Sequence, residues 1–76
     1  MKPEALLAQR LRYARERAGL SQHDVARQLA MHQPAIWAIE AGARKVTAVD
    51  ACRFARLYGE QVGELLGGLL DVSPEE

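Results

Sequence analysis

The chain has 76 residues, 49% of them apolar, with one cysteine and a formal net charge of zero. That describes one small domain with a modest core and little room for an enclosed active site. The lone Cys52 excludes an internal disulfide and a cysteine-built zinc site, and nothing approaches the ~20 apolar residues of a membrane span.

Pro and Gly divide the sequence into five helical segments, and no run of β-branched residues with period two suggests a strand. The first segment runs from about Pro3 to Ala18, with Pro3 in the first turn and Gly19 as a left-handed cap. Leu7, Leu11, Ala14 and Ala18 recur on one helical face. Ser21 reads as an N-cap with Asp24 three residues on, a capping-box pattern opening a short helix over Gln22–Leu29. Val25, Ala26 and Leu29 point inward from it. After the turn Ala30-Met31-His32, a third helix spans about Gln33 to Ala41, with Ile36 and Ile39 inward and Gly42 ending it. Pro34 is tolerated because first-turn amides have no intrahelical partner.

A basic loop, Ala43-Arg44-Lys45-Val46, leads to Thr47, the cap of a fourth helix ending near Tyr58. Its apolar face is Ala48, Ala51, Phe54, Ala55 and Tyr58, and Cys52 reads as a small core residue. Val62, Leu65 and Leu66 form a short fifth helix stopped by Gly67-Gly68. The whole chain, 1–76, reads as one domain with a core over about 4–66 and a tail over 67–76. The zero net charge hides two unlike parts. Residues 1–45 sum to +4 and residues 46–76 to −4, the asymmetry expected where one face meets phosphate.

Ser21 to Gly42 is the informative stretch. Two short helices are joined by three residues, with small Ala26 at the fifth position of the first, so that their backbones can approach at a steep crossing. Val25, Leu29, Ile36 and Ile39 would hold that crossing and leave the outer face of the second helix free for a groove. Leu20-Ser21-Gln22, Val25-Ala26, Ile36, Ile39, Glu40 and Gly42 together resemble the lambda-repressor-like (Xre/Cro-type) helix-turn-helix domains, over roughly Leu7 to Leu66.

The resemblance implies an all-α, five-helix domain that binds operator DNA, usually as a two-fold dimer. By position, Gln22 resembles a glutamine that contacts phosphate and supports the recognition helix. Gln33 falls where a base is often read, its amide suited to adenine in the major groove; a solvated helix N-terminus is the alternative. Arg15 and Glu40 fall where the family has a structural ion pair, and Arg44 and Lys45 in the loop that meets the DNA backbone. Ser21 joins Gln22, Arg44 and Lys45 as a phosphate-positioning residue. His32 reads as a turn residue, with a phosphate contact as its sharper alternative. Pro34 offers an apolar group to a thymine methyl. Trp37 lies along the DNA if exposed, or against the second helix or a partner if partly buried. Ala30 stands where the family usually has glycine, at a cost of about 1 kcal/mol if its backbone is left-handed.

Val62, Leu66, Leu69, Leu70 and Val72 are read as a dimer or partner seam, the alternative being a tail folded over the domain's own core. His23 and His32 lie on different segments without carboxylate spacing, so no metal or other cofactor is expected. The function expected is a sequence-specific DNA-binding transcriptional regulator, a repressor on a (pseudo)palindromic operator. An antitoxin-like or adaptor module on the same fold is the rival, with a toxin or peptidase as partner. No enzymatic constellation is present. The setting expected is cytoplasmic and nucleoid-associated, since the start at Met1–Ala8 does not read as a signal peptide.

Overall fold

The computed structural model describes residues 2–69. They form five helices: α1 Pro3–Arg17, α2 Gln22–Leu29, α3 Gln33–Glu40, α4 Ala48–Tyr58 and α5 Val62–Leu66. The long α1 packs against α3, α4 and α5, while α2 packs on α3 and α4 on α5. Leu11 and Ala14 of α1, Val25 and Ala26 of α2, Ile36 and Ile39 of α3, Phe54, Ala55 and Tyr58 of α4 and Leu65 of α5 form one buried cluster. Leu7, Leu20, Leu29 and Val62 pack on its edge. The Phe54 and Tyr58 rings stack with centroids 5.9 Å apart.

The first four helices end in the same way. A residue with left-handed backbone follows the helix, and the next amide reaches back five residues: Leu20 to Arg15, Met31 to Ala26, Ala43 to Ala38 and Glu60 to Ala55. Three of these left-handed positions are Gly19, Gly42 and Gly59; the fourth is Ala30 at φ 54°. The capping expectations at Ser21 and Thr47 match the structure, each hydroxyl accepting the amide three residues on at 3.0 Å.

Three expected core positions differ. Ala18, Ala48 and Cys52 are exposed. Ala18 is the C-cap of α1, beyond the last regular turn, and Ala48 is the first residue of α4. Cys52 adjoins buried Ala51 but lies a hundred degrees further round the helix, on the solvent side. No helix among the described residues is long and apolar enough to cross a membrane.

Candidate functional site

The site begins with the Ser21–Asp24 capping box. The Asp24 amide donates to the Ser21 hydroxyl, and the Ser21 amide donates to the Asp24 carboxylate, both at 3.0 Å. Backbone donation from Ser21, then its hydroxyl, holds the Asp24 carboxyl below its ordinary value. The box fixes where α2 starts. Ala26, only 5% exposed, lets the two helices meet. The left-handed Ala30 then turns the chain sharply into α3.

Ile36 and Ile39 of α3 are buried at 0% and 1% exposure, which orients the rest of the helix. Gln33, Pro34 and Trp37 consequently face outward, all exposed, with Trp37 at 62%. His32 precedes the helix without giving it a side-chain cap, and the first turn has no acidic residue. The positive end of the α3 dipole is therefore not offset by a local carboxylate, a field that favours an anion. Exposed His32 and His23 share no cluster with other ligating residues among those described.

Behind this face lies a polar anchor. Arg15 Nε donates to Glu40 Oε2 at 2.7 Å and its Nη2 to Oε1 at 3.0 Å, a two-pronged pair tying α1 to α3. Arg15 Nη1 also donates to the Leu20 carbonyl at 2.8 Å, which fixes the start of the connection to α2. Gln22 Nε2 donates to Glu40 Oε1 at 3.2 Å. One hydrogen of that amide remains for an outside acceptor. The hydrogen bond to Glu40 raises the Arg15 pKa further above its ordinary value, so the guanidinium stays charged. Arg12, Gln22, Trp37 and Glu40 together line a shallow cleft of about 300 Å³ beside the outer face of α3.

Arg44 and Lys45 are exposed after α3, and neither has an ion-pair partner among the described residues. Ser21 is exposed at the start of α2. Ser21, Gln22, His32, Gln33, Pro34 and Trp37 thus belong to the α2–α3 unit, with the Arg44–Lys45 loop following it. The seam residues separate. Val62 packs partly on the molecule's own core, Leu66 is 37% exposed and Leu69 is half-buried. Leu70 and Val72 lie outside the described residues.

Two supporting residues, Arg10 and Arg53, were not legible beforehand. Arg10 Nη1 donates to the carbonyls of Glu64, Leu65 and Gly67 at 3.3, 3.0 and 2.6 Å. Arg53 donates to the Leu29 carbonyl at the end of α2. Tyr58 Oη is buried without a protein partner among the described residues, and burial pushes its pKa up. Backbone carbonyls carry no side-chain signature, so no sequence pattern announces the two arginine contacts.

A family model described as a helix-turn-helix domain matches residues 6–67. No curated protein and no solved structure matches the chain.

Proposed function

The chain belongs to the helix-turn-helix domain family, and from that premise we propose that it is a sequence-specific DNA-binding transcriptional regulator, a repressor that occupies a (pseudo)palindromic operator as a dimer. The observation that carries this reading is the division of α3 into a buried Ile36–Ile39 side and an exposed Gln33–Pro34–Trp37 side. A helix held from behind with a free outer face can enter the major groove. Gln33 would read adenine through both edges of its amide, Pro34 would touch a thymine methyl and Trp37 would lie along a base edge or the sugar-phosphate backbone. Ser21, Gln22, His32, Arg44 and Lys45 would set the register on phosphate. A dimer seam would start from exposed Leu66 beside Val62. Operator half-sites would then lie about one helical turn, ~10 base pairs, apart. Such a protein works at the nucleoid in the cytoplasm.

Selecting bound sequences from a random duplex pool tests binding, symmetry and spacing together. A palindromic consensus is expected, with Gln33→Ala relaxing one position in each half-site. Equal losses on operator and random DNA would remove Gln33 from base readout. A second reading draws on Trp37, a large apolar group exposed where base-reading helices are more often polar. In it, α3 docks on a protein such as a toxin or peptidase. Retention of one partner by the chain, together with no DNA affinity in dilute buffer, would favour that reading.

A further inference from the structure

The shallow cleft beside the outer face of α3 is lined by Arg12, Arg15, Gln22, Trp37, Glu40 and Ala41. Its charged groups are not equally engaged. Arg15 and Glu40 hold each other through hydrogen bonds of 2.7 and 3.0 Å, so their charges balance. Gln22 gives one amide hydrogen to Glu40 and keeps the other. Arg12 is the remaining cation of the lining. Among the described residues its ionic partner is Glu16, one turn further along α1, with 3.5 Å between Nε and Oε2. The two side chains are 60% and 48% exposed, so water screens that pair and it contributes little. The hollow on the other side of Arg12 has Glu40 as its only other charged lining residue among those described.

We propose that this cleft takes a phosphate of the DNA backbone and that Arg12, which no motif in the sequence marks, is the charged group that holds it. The phosphate accepts from the Arg12 guanidinium and from the free Gln22 hydrogen, with the Trp37 indole as the wall on the α3 side. A strand bordering the groove that α3 enters passes over this edge of the helix. Glu40 does not repel the phosphate strongly, because Arg15 already balances its charge; Glu16 is the acid that weakens the site. The inference rests on the DNA-binding reading and adds a residue to it.

The test has one arm without DNA and one with it, both on the full chain. Titration with inorganic phosphate at constant ionic strength should move the Gln22 side-chain amide and Trp37 indole resonances. Arg12→Gln should abolish those shifts and Arg12→Lys should retain part of them. On a short random duplex, Arg12→Gln should weaken binding about tenfold and lower the salt slope by about one unit per bound chain. Arg56→Gln makes the same charge change on a separate groove between α2 and α4, and it should leave slope and phosphate shifts as they were. No phosphate response at Gln22 and Trp37 in the parent chain would overturn the site. An equal fall in slope for Arg56→Gln would overturn it too, since net charge alone would then explain the loss. An unchanged slope in Arg12→Gln, with Lys45→Ala still lowering it, would overturn the role of Arg12 and leave the DNA reading standing. Phosphate shifts that depend on Arg12, with no duplex bound by any form, would uphold the anion site and count against the DNA reading instead.

Discussion

Ala30 occupies a left-handed turn that three neighbouring helix ends give to glycine. A Cβ in that conformation costs about 1–2 kcal/mol, partly offset because alanine has fewer unfolded conformations than glycine to lose. Ala30→Gly should therefore stabilise the fold by about 0.5–1 kcal/mol, read as a higher urea midpoint with an unchanged slope. Glu40 has the opposite character. Its side chain is 5% exposed, and that of its partner Arg15 is 13% exposed. Glu40→Gln strands the guanidinium and should cost about 3 kcal/mol by the same measurement. Asp24 supplies a pH handle. Its folded pKa is depressed, so its contribution is present above the unfolded value, near 4, and is lost as pH falls through the folded one. Asp24→Ala should weaken the fold at neutral pH and flatten the acid limb of the stability curve; an unchanged limb would remove the capping box from acid sensitivity.

Among the elements, α5 depends most on its neighbours. Five residues are far too few for a helix to persist alone. Buried Leu65 and the Arg10 grip on three carbonyls supply what the segment lacks. Arg10→Met keeps the aliphatic stem and removes the donors, and it should cost about 1.5–3 kcal/mol with faster hydrogen exchange in α5 than in α2. Equal acceleration in both helices would mean that Arg10 supports the whole core instead. The connection between α2 and α3 is braced twice, by the left-handed turn and by Arg53 of α4 reaching the Leu29 carbonyl.

Across the whole molecule, the balance of charge matters less than its arrangement. The basic part of the chain carries α1 to α3 and the Arg44–Lys45 loop, and the acidic part carries α4, α5 and the tail. On the DNA-binding reading, log affinity should fall linearly with log salt. Lys45→Ala should reduce that slope by about one unit and weaken operator and random duplex alike. Sequence-selective loss in Lys45→Ala would instead place that lysine at a base.

Periodicity, caps and breakers in the sequence determined the five helices, because these are local properties: a side chain's preference within its own turn, a hydroxyl three residues from an amide, a glycine where φ is positive. Ile36 and Ile39 also declared the inner side of α3, and so by subtraction its outer face. Ala51, Phe54, Ala55 and Tyr58 likewise declared the inner face of α4. Only the tertiary structure decided that Ala48 and Cys52 stay outside the core, and which carbonyls Arg10 and Arg53 would find. Those contacts join positions as many as 57 residues apart through backbone atoms that every residue shares, so no residue type at either end could signal them.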